Sequence, residues 1–291
     1  MNVVPLKSTA AGPFQPVTAL RGLAAFGAVG VGLSGVADWN PESYGRFRDL
    51  RLRPALDLLV RVGELPAGDI IDLGCGDGVV GVALRERFPK TKLHGVDASP
   101  AMLEKARARS LYDDLTEADA AQWQPKAAPA LIFSNAALQW LPDHPALFPK
   151  LAEMLAPRGV LAIQMPRQYG APSHRFLRDF AADMFPDRFD LQGWQAPVAT
   201  PVDYYRMLAP LGHVDVWECD YVQRLGPSAD GHPVRRFTEA TAMRPFLDRL
   251  TKAEAHDFTQ RYDAALTSAY PTEVDGAVLF PFRRLFITLT R

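Results

Sequence analysis

Two hydrophobic periods alternate along this chain, and the switches between them mark its elements. Short apolar runs bounded by turn residues occur at 69–73, 92–96, 130–133 and 160–165. Uninterrupted runs of that length predict strands buried on both faces. Helical spacing fills the intervals: Leu52, Leu56, Leu59 and Val60 mark one face of a helix over 50–62, and further helices are expected at 82–88 and 145–155. Ser99-Pro100 starts another over 102–109, with Ser99 as N-cap and Pro100 at the first helical position. A short third strand is expected just before Asp119. Strands alternating with helices predict a doubly wound, mostly parallel α/β sheet with right-handed crossovers.

After Met165 the alternation lapses. Residues 166–199 predict a helical insertion, 202–208 a helix, 213–222 a strand, 237–270 a two-helix segment, and 278–289 a strand pair or one long strand. Insertions at about 166–200 and 228–275 are expected to form a helical cap over the site.

The first 37 residues differ from the rest. Residues 22–37 are uncharged and apolar with five glycines, too short and too glycine-rich for a comfortable membrane span. A secretory signal has small residues at Gly35 and Ala37 in its favour, but only Lys7 as an early cation. The reading preferred is upstream sequence from an over-long start assignment, disordered and outside a folded unit at 38–291.

One turn carries most of the chemistry. Ile70-Ile71-Asp72-Leu73 runs into Gly74-Cys75-Gly76-Asp77-Gly78, and the next strand ends in Gly95-Val96-Asp97. Glycines allow close backbone approach to a ligand, and the following helix aims free N–H groups at the same place. An acid about 20 residues on is placed to accept hydrogen bonds from ribose hydroxyls. A dinucleotide fingerprint wants a third glycine where this chain has Val79. Asp72 adds a carboxylate beside the turn, which repels a pyrophosphate and attracts a cationic amino-acid moiety. Asp-x-Gly-x-Gly-x-Gly resembles the first motif of class I methyltransferases, and that resemblance implies S-adenosylmethionine rather than a nicotinamide dinucleotide.

Composition narrows the partners. In 291 residues, 48% hydrophobic and 22% charged, the formal net charge is −1, so nothing marks a nucleic-acid or anionic-membrane surface. Two cysteines make no disulfide framework and suit a reducing cytoplasm, and the six histidines show no metal-ligand spacing.

Several stretches together resemble the trans-aconitate 2-methyltransferases: Trp39-Asn40-Pro41, Arg51-x-Arg53-Pro54, the glycine turn, Asp97-x-Ser99-Pro100-x-Met102, Ser134-Asn135-Ala136-x-Leu138-Gln139-Trp140, Gln164-Met165-Pro166 and Leu285-Phe286-Ile287. The resemblance covers about residues 38–291 and begins just after Val36, which a GTG start codon would encode as methionine. It implies a seven-stranded, Rossmann-like class I methyltransferase fold, acting as a monomer on a small tricarboxylate to give a monomethyl ester. It also implies a cofactor pocket of Asp72, Gly74, Gly76, Asp97, Ala98, Met102, Asp119, Ala120 and Asn135. Trp39 and Tyr44 are candidates for a lid on the cofactor, and Gln139 and Trp140 for the pocket lining. Substrate carboxylates ask for cations, and Arg51, Arg53, His174, Arg244 and Arg284 stand at matching positions; Arg244, among apolar neighbours, is expected to be partly buried. No catalytic base is assigned. The family continues Pro-Gly-Asn where this chain has Asp77-Gly78-Val79, which is expected to put an extra carboxylate near the sulfonium. Methylation of malonyl-acyl carrier protein, a non-catalytic cofactor-binding protein and a dehydrogenase remain as alternatives.

Overall fold

The computed structural model describes residues 48–291; residues 1–47, with Trp39 and Tyr44, lie outside the described residues. In chain order the elements are α1 (Arg48–Val60), β1 (Ile70–Leu73), α2 (Val79–Arg87), β2 (Leu93–Asp97), α3 (Pro100–Ala108), β3 (Asp114–Glu117), β4 (Leu131–Asn135), α4 (His144–Glu153), β5 (Val160–Pro166), α5 (Pro172–Met184), α6 (Pro201–Leu208), β6 (His213–Leu225), α7 (Pro233–Glu239), α8 (Arg244–Leu247), α9 (Lys252–Ala269) and β7 (Val278–Thr290). One seven-stranded sheet has the order β3-β2-β1-β4-β5-β7-β6, in which β7 runs antiparallel to both neighbours. From β1 the chain winds one way through β2 and β3; β4 and β5 are laid down on the other side. The crevice between the carboxyl ends of β1 and β4 is therefore the switch point where α/β sheets bind ligands.

Each face of the sheet has its own core. On one, Ile70, Leu93, Leu131, Phe133, Ala162 and Phe286 pack against Ala55, Leu58, Leu59 and Leu84 of α1 and α2. On the other, Ile71, Ile132, Ile163, Leu285 and Ile287 meet Phe148, Leu151, Tyr204 and Leu208 of α4 and α6. The expected core face of α1 is rotated: Leu56 and Val60 are 40% and 82% exposed, while Ala55 and Leu58 are buried. Leucines stand on several sides of this helix, so apolar spacing alone admits more than one phase, and contact with the sheet selects it. The Ser99 cap forms as expected, its Oγ accepting from the Met102 N–H at 3.4 Å.

The last strand pair is longer than the sheet. β6 and β7 pair continuously from His213↔Thr290 to Leu225↔Val278, while β5 reaches only the Arg284–Thr290 half of β7. Beyond that half, Phe280 and Phe282 enter a third core with Leu177 of α5, Val234 and Phe237 of α7, and Phe258 and Tyr262 of α9. Helices α7–α9 thus leave the sheet at the tip of the β6–β7 ribbon. The Tyr262 hydroxyl donates to the Ser173 carbonyl at 2.6 Å, tying α9 to α5.

Candidate active site

The glycine turn is strapped to β2. Gly74 and Cys75 donate to the Val96 carbonyl at 2.7 and 3.0 Å, and Gly76 donates to Asp97 Oδ2 at 2.8 Å. Asp97 Oδ1 accepts from Ser99 N at 2.9 Å, so one carboxylate organises both loops. Two of the turn glycines, both at positive φ, do different jobs. A Cβ on Gly74 (φ 77°) would lie 2.2 Å from Ala137 Cβ in the loop after β4, whereas one on Gly76 (φ 55°) would meet nothing within 4 Å. Gly74 lets two loops close on each other; Gly76 presents bare backbone to the crevice.

Two carboxylates stand differently from expectation. Asp72 does not open onto the turn: it is 1% exposed, and its Oδ2 accepts from the Tyr112 hydroxyl at 2.7 Å. Burial pushes its pKa up to about 7, against the lowering effect of the Tyr112 bond. The Asp77 charge is paired rather than bare, with Arg109 Nη2 at 2.9 Å from Oδ2 and Arg109 Nε donating to the Asp77 carbonyl at 2.5 Å.

Along the crevice, Ala118 N donates to the Asp97 carbonyl at 3.0 Å and brings the Asp119-Ala120 loop beside β2. Asp119 is exposed, its Oδ1 accepting from Ala121 N at 2.9 Å. Ala98 is exposed and Met102 half-buried. At the end of β4, Ala136 takes φ 54°, its N–H donating to the Gln164 carbonyl at 2.8 Å and its carbonyl accepting from Gln139 Nε2 at 2.7 Å. Asn135 Oδ1 and Gln139 Oε1 are buried without hydrogen-bond partners, as are both amide atoms of Gln164. Trp140 is 49% exposed, so it does not belong to the core.

Of the expected substrate cations, the structure brings two into one neighbourhood. Arg284 is 4% exposed, its guanidinium 4.6 Å from the centre of the Phe282 ring. The other face of that neighbourhood is His174, whose ring lies edge-on to Phe282 with centroids 6.3 Å apart. His174 is not a cation: burial, reinforced by Arg178, holds its pKa down near about 3, so the ring is neutral at physiological pH. Arg244 is partly buried, as expected, but at the edge of the core rather than in it. Met243 takes the core position, and Arg244 stays 41% exposed, 3.6 Å from Asp248 one turn on. Arg53 is 75% exposed, reaching Asp57 at 3.9 Å and lying over the Tyr221 ring. Arg51 lies in α1, and its side chain is outside the described residues.

Sequence reasoning missed Arg178. It donates to the Tyr169 and His174 carbonyls at 2.8 and 3.2 Å and stacks 3.8 Å over Trp194. Its position four residues after His174 on the same helix was the available signal. Among the described residues no helix is long and apolar enough to cross a membrane, and no cluster of His, Cys, Asp and Glu is placed to hold a metal.

Residues 44–225 match a family model described as a methyltransferase domain. A Methylobacterium radiotolerans protein named trans-aconitate 2-methyltransferase is 43% identical over 265 residues, spanning 87% of this chain and 98% of its own. An Escherichia coli protein of the same name is 42% identical over 259 residues, spanning 88% and 99%. In fold, the crystal structure of the Bacillus subtilis protein YcgJ is similar at a TM-score of 0.51 and 16% identity, with 82% and 98% covered. Glycine turn, the acid ending β2, switch-point crevice and these relatives converge: the chain belongs to the trans-aconitate 2-methyltransferase family of class I, S-adenosylmethionine-dependent methyltransferases.

Proposed function

We propose that this enzyme transfers the methyl group of S-adenosylmethionine to a carboxylate of trans-aconitate, giving the monomethyl ester. The observation that carries the reading is one sheet that holds a cofactor turn at the end of β1 and, across β4 and β5, a buried arginine on β7 opposite the last residue of β5, in a chain with near-full-length relatives of that name. The residues fit the cofactor. Gly76 leaves open space above its backbone, and each Asp97 oxygen accepts one backbone N–H, keeping a second lone pair for a ribose hydroxyl. Ala98 after β2, Met102 in α3, Asp119 and Ala120 after β3 and Asn135 at the end of β4 are the further candidates for the cofactor's contacts. Bound there, the cofactor supplies a methyl group on a sulfonium, an already activated leaving group.

The chain's own work is to place and dry the acid. A carboxylic acid with pKa near about 4 is ionised at neutral pH, so no general base is needed. Arg284 holds carboxylate charge in a buried setting, where a guanidinium fork is most effective. His174 gives a neutral ring that packs and donates. Arg51, Arg53 and Arg244 are rim candidates for the remaining carboxylates. Alignment and exclusion of water supply the acceleration. Residues 38–291 are taken as the catalytic unit, working as a monomer in the cytoplasm on a small tricarboxylate.

The test is purified protein, labelled S-adenosylmethionine and a panel of di- and tricarboxylic acids. Label should pass to trans-aconitate in base-labile form. Transfer to another acid, with none to trans-aconitate, overturns the substrate assignment.

A further inference from the structure

Strand register aligns four polar side chains on one face of the sheet. Asp72 of β1 is two positions below the Gly74 turn, and its β4 partner is Phe133, so Asn135 shares its face. Asn135 pairs with Gln164 of β5, and Gln164 pairs with Phe286 of β7, two residues from Arg284. Between and beside these positions the same face is apolar, with Phe133, Ala162 and Phe286 fully buried.

Gln164 is the anomaly in the row. It is 0% exposed, and neither its Nε2 nor its Oε1 has a hydrogen-bond partner. A buried polar group without a partner costs stability, and it persists where a ligand completes it. Asn135 Oδ1, one strand nearer the cofactor turn, is buried and unpartnered in the same way.

We infer that Gln164 holds the reacting carboxylate of the acid, and that Arg284 holds a carboxylate that does not react. The proposal rests on the carboxyl-methylation reading. The order of strands carries it. Cofactor groups occupy β2, β1 and the end of β4, so the acid lies over β5 and β7, and its nucleophilic oxygen must be the part nearest β4. That position is Gln164; Arg284 is one strand farther out. The chemistry of the two side chains suits the division. A guanidinium paired to the nucleophile would draw off the charge that attacks, whereas a neutral amide N–H orients the oxygen with less quenching. Charge neutralisation by arginine belongs on the spectator group, where it strengthens binding.

The test compares Gln164→Leu, Gln164→Met and Arg284→Lys in the full chain. Each is measured for S-adenosylhomocysteine affinity by calorimetry and for steady-state kinetics on whichever acid of the panel the wild type methylates. Both Gln164 variants should lose kcat by about tenfold or more, with KM within about threefold, because alignment in the transition state is lost while binding is kept. Arg284→Lys should show the opposite split, raising KM more than it lowers kcat. S-adenosylhomocysteine affinity should stay within about twofold of wild type throughout. Normal kcat in both Gln164 variants overturns the inference and leaves the methylation reading intact. A matched fall in cofactor affinity also overturns it, placing Gln164 in the cofactor site. Wild-type protein that methylates no acid removes both readings together.

Discussion

The two glycines of the turn should fail in different ways when each is given a methyl group. Gly74→Ala must hold alanine at φ 77° and place its Cβ 2.2 Å from Ala137 Cβ. The left-handed conformation costs about 1–2 kcal/mol. Relief of the contact needs a shift of more than an ångström toward an ordinary separation of about 3.5–4.0 Å. The Ala137 segment resists it, because Ala136 N is bonded to the Gln164 carbonyl and Trp140 N to the Ala137 carbonyl. Overpacking of that kind adds about 1–3 kcal/mol. Together they come to roughly 2–5 kcal/mol, a large share of the ~5–15 kcal/mol that holds a domain folded. Gly76→Ala has the conformational cost and no clash, so its loss is confined to about 1–2 kcal/mol. Its methyl group points into the open space where the cofactor is placed, so the larger effect should be on binding. Thermal melts and S-adenosylhomocysteine calorimetry separate the two. Gly74→Ala should melt several degrees below Gly76→Ala, and Gly76→Ala should bind at least about tenfold more weakly than wild type, a difference of about 1.4 kcal/mol. Unchanged affinity in a folded Gly76→Ala protein would refute the placement of the cofactor above that backbone.

Asp72 gives a pH-dependent counterpart. Its pKa rises from 3.8 to about 7 on folding, so the folded state holds its proton more tightly and wild-type stability falls as pH climbs through that window. Asp72→Asn, which keeps an acceptor for Tyr112, should therefore be more stable than wild type in cofactor-free melts at pH 8, with the advantage shrinking toward pH 4; an equal difference at both pH values would contradict the buried-carboxyl account. In α7, Arg235 is 6% exposed and bonds Asp263 at 2.9 and 3.0 Å as well as the Asp230 carbonyl at 2.6 Å. Arg235→Ala should cost about 1.5–3 kcal/mol by removing hydrogen bonds to charged acceptors that stay in partial contact with water, and a melting shift below about 2 °C would show that the network contributes little.

What the sequence made legible was local. The glycine turn, the acid ending β2 and the Ser99-Pro100 helix start are each contained within a few residues, and each is found where its spacing put it. What it hid was set by contacts between distant segments. Tyr112 covers Asp72 from forty positions away, and Arg109 pairs with Asp77 from thirty-two. No local pattern announces either meeting. Arg244 and Met243 are adjacent, and which one enters the core depends on how α8 lies on α9. The phase of α1 was ambiguous for the same reason. Gln164 looked like one letter of a family motif; its empty amide is visible only once three strands are set side by side.

Helices α7–α9 leave and rejoin the sheet at paired residues, Leu225 and Val278. Everything between them is, topologically, the loop of a hairpin whose two ends are already held together. The entropy of closing such a loop grows only slowly with its length, about 0.6 kcal/mol for each doubling. Residues 226–277 can therefore be lengthened, shortened or exchanged over evolution with little effect on the register of β7, and hence on the strands beyond it. A foreign helical segment joined at those two residues would meet strand ends already set at hairpin distance.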